Sequence, residues 1–119
     1  MKRVLFTVSM ICIMIMLSNS VQSQLLPTNL QVTVLDDLGN VVEGATVIIF
    51  ENEEDYRFEN NPAFGPELTD KKGRVTFKKI PAKSYYVFVS KGDKNNDGKG
   101  VKTSRLEPGK KNQINVVIL

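Results

Sequence analysis

Histidine and tryptophan are absent from this 119-residue chain, and cysteine occurs once, at Cys12. Without imidazole, Ser-His and Cys-His nucleophilic catalysis are excluded, and a zinc centre lacks its usual ligands. Amphipathic helical periodicity is missing too, so no Gly-rich loop opens a helix to cradle phosphate. Charge of one sign is scarce. The whole chain carries +3, from 16 basic and 13 acidic residues. Lysines gather at 71–72, 78–79, 91–102 and 110–111, but acids interrupt them and no aromatics accompany them in a stacking pattern. That describes a solvated surface and gives no basis for nucleic-acid binding.

The one long hydrophobic run stands at the start. Lys2 and Arg3 precede Val4–Leu17, in which only Thr7 and Ser9 are polar, and "SNSVQSQ" follows. A positive start, an apolar middle and a small, polar end are the layout of a secretory signal peptide. Val21 and Ser23 fit the small-residue cleavage rule, which places the cut after Ser23. An uncleaved anchor is the alternative, but a span needs roughly 20 apolar residues and this run is 14 long. Removing residues 1–23 leaves 96 residues, takes Cys12 away, and reduces the basic residues to 14 against 13 acids, a net +1. A thiol-free product is indifferent to an oxidising compartment, which fits a secreted, periplasmic or cell-surface protein with no further membrane span.

Residues 24–28 read as a short leader in which Pro27 discourages helix. Strand signals then recur. "LQVTVLD" (30–36) alternates apolar and polar residues, as a half-buried strand does. "DDLGN" (36–40) is a turn. In "EGATVIIFE" (43–51), Ala45, Val47 and Ile49 oppose Thr46, Ile48 and Phe50; both faces are apolar at its end, which predicts a central or covered strand. Residues 52–66 are acidic and show no clean period, which predicts a long loop with a ragged edge strand near Tyr56–Phe58. Asp70–Gly73 is a tight turn, Val75 and Phe77 alternate after it, and Pro81 stops that strand. "SYYVFVSK" (84–91) sets Tyr85, Val87 and Val89 against Tyr86 and Phe88. "VKTSRL" (101–106) is a weak, edge-like strand, and "QINVVIL" (113–119) is a strand and a candidate pairing edge. With no helix to cover a sheet, two sheets must cover each other. The expected fold is all-β, an antiparallel Greek-key β-sandwich of about seven strands over residues 29–119.

The order of these motifs resembles the carboxypeptidase regulatory-like domain, a transthyretin-like β-sandwich. The likeness rests on Asp36 or Asp37, Gly39, Gly44 and Ala45 within 30–50, "TDKKGRVTF" (69–77), "IPAKSYYVFVSK" (80–91) and "LEPGKKNQINVVIL" (106–119). Lys83 stands where the family has glycine, and Val42 where proline is common. The resemblance implies a non-catalytic accessory role. Some transthyretin-like sandwiches are hydrolases that rely on histidines, a pattern this chain does not carry. No cofactor is implied.

Two stretches carry candidate chemistry. "KGDKNNDGKG" (91–100) begins as a calcium loop does: Asp93, Asn95, Asp97 and Gly98 occupy positions 1, 3, 5 and 6. Position 12 is Ser104 rather than a bidentate Glu, and the same residues suit a strand-to-strand turn. In 52–66, Tyr56, Phe58 and Phe64 make either an aromatic platform for a glycan or protein partner or a cap on one end of the sandwich. Glu51, Glu53, Glu54 and Asp55 are the only carboxylates dense enough to suggest glycosidic chemistry, and an acidic loop is ordinarily solvated. The reading is therefore an exported, non-enzymatic binding or structural module with a protein or envelope partner. A carbohydrate-binding module and a calcium-stabilised surface module are the alternatives.

Overall fold

A computed structural model describes residues 26–119. The signal sequence expected over 1–23, and the first two residues of the leader, lie outside the described residues. The elements are β1 (Asn29–Leu35), β2 (Thr46–Phe50), α1 (Glu53–Arg57), β3 (Phe64–Leu68), β4 (Arg74–Phe77), β5 (Tyr86–Lys91), β6 (Lys94–Asn95) and β7 (Lys111–Val117). They form two sheets, in the orders β4-β1-β7 and β3-β2-β5-β6. The chain changes sheet between β1 and β2, β3 and β4, β4 and β5, and β6 and β7, which makes it a β-sandwich.

The alternation read from the sequence is what closes the core. Leu30, Val32 and Val34 of β1 face inward, as do Val47 and Ile49 of β2 and Val87 and Val89 of β5, all fully buried. Registers Val47↔Val89 and Ile49↔Val87 stack β2 on β5, and Val32↔Val75 and Leu30↔Phe77 stack β1 on β4. Each such side chain contributes roughly 1.5–3 kcal/mol by leaving water. Tyr85 closes one end: its ring is fully buried, and its hydroxyl donates to the Pro81 carbonyl at 2.6 Å, so the polar tip is not stranded.

Two turns repeat one device. The Asp36 carboxylate accepts from the Leu38 and Asn40 N–H groups, each at 2.9 Å. The Asp70 carboxylate accepts from Lys72 at 2.9 Å and Arg74 at 3.0 Å. Asp36, not Asp37, is therefore the residue that holds this turn. These bonds, led by those from Asn40 and Arg74, hold both carboxyls below the ordinary aspartate value. Gly73 is fixed twice over: its φ is +72°, and an added Cβ would sit 2.9 Å from the Val34 carbonyl oxygen. Gly44 serves a positive φ of 75°, and the nearest atom to an added Cβ is Lys91 Nζ, at 3.7 Å. Lys83 does not have a positive φ, so its position does not require glycine.

Within the expected, mainly antiparallel sandwich, four details differ from the sequence reading. β1 and β7 run parallel, because the 107–110 turn delivers β7 to the end where β1 begins, with the Asn29 N–H donating to the Lys110 carbonyl at 3.0 Å. No strand forms at Tyr56–Phe58; a five-residue helix stands there, and a strand follows at 64–68. The turn at 91–100 contains a two-residue strand, β6. Residues 101–106 form no regular strand, although a single bridge, Tyr86↔Lys102, keeps them beside β5.

Candidate functional site

The two stretches singled out in the sequence meet on the outer face of the four-stranded sheet. Asn52 caps α1: its Oδ1 accepts from the Asp55 N–H at 2.8 Å, while its Nδ2 donates to the Asp55 carboxylate at 3.0 Å. The acidic run Glu53-Glu54-Asp55 thus fills the first helical turn, where carboxylates complement unpaired N–H groups. Glu53 pairs with Arg57 at 2.9 Å, and Glu51 with Lys83 at 3.0 Å. Glu51, Glu53 and Asp55 thus each take part in a local contact.

The helix lays Tyr56 across the sheet. Its ring centroid lies 6.1 Å from Phe50, 5.9 Å from Tyr86 and 6.2 Å from Phe88. Phe50 is only 1% exposed as a result, so the apolar second face of β2 is indeed covered. The Tyr56 hydroxyl donates to the Asp97 carboxylate at 2.8 Å, joining residues 41 apart in the chain. Burial, then the bond to Asp97 and its charge, then Glu59 raise the Tyr56 hydroxyl to about 12. Lys102 Nζ lies 5.7 Å from the Tyr86 ring centroid, a cation–π contact. A cleft of about 250 Å³ opens beside Tyr56, lined by Glu53, Arg57, Glu59, Phe88 and Asp97.

The three loop aromatics do not share a platform. Phe64 points the other way, with ring centroids 6.1 Å from Tyr85 and 6.5 Å from Phe77, and it packs against the core. Phe58 is 69% exposed at the helix end. Only Tyr56 belongs to the outer face, and its aromatic partners there are Phe50, Tyr86 and Phe88. The alternation of β2 and β5 already placed those three opposite the core; what the sequence did not reveal was the helix that brings Tyr56 to them. Its signal was there, in an Asn followed three residues later by an acid.

The 91–100 stretch is sheet-edge architecture. Lys91↔Lys94 pairing makes Gly92-Asp93 a two-residue hairpin turn, with Gly92 at φ 62°, the geometry for which glycine is selected. Asn95 Oδ1 accepts from the Asp97 N–H at 2.9 Å, and Asp97 Oδ1 accepts from Tyr56. Asp93 lies elsewhere, on a hollow of about 420 Å³ with Asp36, Glu43, Lys91 and Lys94, where Lys91 Nζ donates to the Glu43 carbonyl. Ser104 is exposed in the strand-like 101–106 segment. Three aligned calcium-loop positions thus point to separate tasks.

The residue that organises this edge is Asn96, which the sequence reading passed over. It is 1% exposed. Its Nδ2 donates to the Val87 carbonyl at 2.8 Å, and its Oδ1 accepts from the Val89 N–H at 2.9 Å. The Asn96 N–H donates to the Val89 carbonyl at 3.2 Å, while Val87 N–H donates to Val101 O at 2.6 Å and Thr103 N–H to Tyr85 O at 2.8 Å. The side-chain amide therefore takes the place of a missing peptide unit between β6 and the 101–106 segment. It lets 97–100 bulge outward and carry Asp97 to Tyr56.

No family model matches the chain, and no curated relative does. The fold is shared with a solved structure. The Streptococcal ancillary pilin superposes with a TM-score of 0.53 at 15% identity, covering 79% of this chain and 32% of its own. BcpA, the major pilin subunit of Bacillus cereus, gives 0.49 at 17% identity, covering 77% and 29%. The dioxygenase domain of a dioxygenase carbohydrate-binding protein fusion from Streptomyces sp. SirexAA-E gives 0.40 at 14% identity, covering 77% and 79%. The chain thus spans about a third of either pilin. At this identity the likeness to the ancillary pilin is one of fold alone: the chain is a β-sandwich of a three-stranded and a four-stranded sheet.

Proposed function

We propose that this chain is an exported, non-catalytic sandwich that binds a protein partner at the cell envelope through the outer face of its four-stranded sheet. On this reading residues 1–23 are the export signal, 24–28 a leader, and 29–119 a domain of carboxypeptidase regulatory-like type. The observation that carries it is the Tyr56–Asp97 bond. It locks two irregular loops onto a sheet and presents half-buried tyrosine and phenylalanine rings, ringed by Glu53, Arg57, Glu59 and Lys102, on a rigid support. Aromatic centres with charged rims are what protein interfaces use. A stacking platform for sugar is less well supported, since Lys102 already lies over Tyr86 and Phe64 faces inward. Catalysis draws no support from this face either, as its carboxylates line an open cleft and are tied to Arg57, Tyr56 or solvent.

Site-specific photocrosslinking in cells that export the full chain tests the proposal. A probe at Arg57 or Lys102 is expected to give a discrete protein adduct, and one at Thr33, on the outer face of the other sheet, is not. Equal labelling from both faces, or none from either, contradicts it.

A further inference from the structure

Four strands lie at sheet edges among the described residues: β3, β4, β6 and β7. Three carry features that oppose further pairing. β3 contains Gly65-Pro66 and a register shift against β2. β4 has four residues, and β6 has two before the bulge. β7 is different. Its seven residues, KNQINVV, hold no proline or glycine and one charge, at Lys111. Its register against β1 is unbroken from Asn29↔Lys111 to Leu35↔Val117. Soluble proteins ordinarily blunt such an edge with charges, prolines or bulges, and this one is not blunted.

The hydrogen bonds show which groups the edge offers. Lys110 O accepts from Asn29 N–H at 3.0 Å, and Ile118 N–H donates to Leu35 O at 2.9 Å. Alternation between these points turns the N–H and C=O groups of Lys111, Gln113, Asn115 and Val117 away from β1. Beyond them Leu119 pairs with Asn95, which closes the edge. We propose that this edge pairs antiparallel with β7 of a second copy, across a twofold axis at Ile114. That register sets Lys111 opposite Val117 and Gln113 opposite Asn115, and joins every outward backbone group. No like charges meet, the Gln113 and Asn115 amides lie across from each other, and the two half-buried Ile114 side chains cover one another beside the core. A surface that pairs with itself in this way is what an isologous dimer requires. The proposal does not depend on the binding face, which lies on the other sheet.

Sedimentation equilibrium of the exported chain over a concentration series tests it, with two double variants. Gln113→Lys with Asn115→Lys places lysine opposite lysine; Gln113→Lys with Asn115→Glu places lysine opposite glutamate. The expected result is a concentration-dependent dimer, weakened at least about tenfold in the first variant and retained in the second. Both positions are exposed, and circular dichroism verifies that each variant folds. If either does not, amide exchange at Gln113 and Asn115 that slows with protein concentration carries the test alone. A monomer up to about 1 mM, a dimer indifferent to the lysine pair, equal loss in both variants, or amides protected equally at all concentrations would overturn the proposal.

Discussion

Asn96 shows how much one side chain can organise. Replacing it with alanine strands the Val89 N–H and the Val87 carbonyl at a buried edge, so Asn96→Ala is expected to cost about 2–4 kcal/mol in denaturant unfolding. Asn96→Asp should cost more, since it loses the donor to Val87 and buries a charge. The turn glycines give a graded comparison. Gly39 has a φ of +85° with no neighbour near an added Cβ, whereas Gly73 adds a clash with the Val34 carbonyl to its φ of +72°. Gly39→Ala should cost about 1 kcal/mol and Gly73→Ala at least about twice that, by thermal melts. Equal costs would mean that the Gly73 turn relaxes away from β1. Tyr56 adds a pH signature. Its hydroxyl is raised to about 12, so its stabilisation is full below the ordinary tyrosine value near 10 and is lost as pH climbs from there toward 12. Tyr56→Phe should remove that alkaline step from a pH series of melting temperatures.

At the scale of elements, β1, β2, β5 and β7 were legible because each follows a two-residue period between turn signals. The inward set Val47, Ile49, Tyr85, Val87 and Val89 could be read directly from that period. The loop 52–66 was not legible in this way. Five helical residues are too few to show a 3.6-residue period, and the tertiary partners of Tyr56 come from β2, β5 and the 96–100 bulge. The candidate site was legible only in part for the same reason: both stretches stood out in the sequence, but nothing local told that they touch. The division between Phe64 and Phe58 is decided by sheet geometry, since β3 turns Phe64 inward. Phe64→Ala should therefore destabilise by about 3 kcal/mol, and Phe58→Ala by less than about 0.5 kcal/mol. Calorimetry of the two variants measures the contrast directly, and similar costs would contradict the placement of β3. The 101–106 segment failed as a strand because Thr103 bonds side chain to backbone, accepting from the Tyr85 N–H at 2.9 Å, where a regular ladder would use main chain alone.

At the scale of the whole molecule, the sandwich divides its work between its two outer faces and its edges. The three-stranded sheet contributes Leu30, Val32 and Val34 inward and ends at the open strand β7. The four-stranded sheet contributes the aromatic face, to which α1 is fastened by Tyr56. No helix among the described residues is long and apolar enough to cross a membrane. Acid tolerance belongs to this scale as well. Asp36 and Asp70 both sit below the ordinary aspartate value because backbone N–H groups hold their charged forms. Their stabilisation is present above that value and is lost as pH falls through their lowered ones, so acid unfolding should begin at the two turns that frame β1 and β4. The account rests most heavily on the junction of the two loops. A double-mutant cycle of Tyr56→Phe and Asp97→Ala, read by denaturant unfolding, tests it most directly. A coupling of about 0.5–1 kcal/mol, modest because the pair is partly exposed to solvent, is the predicted result. Strictly additive costs would show that the two loops act separately and would remove the shared face.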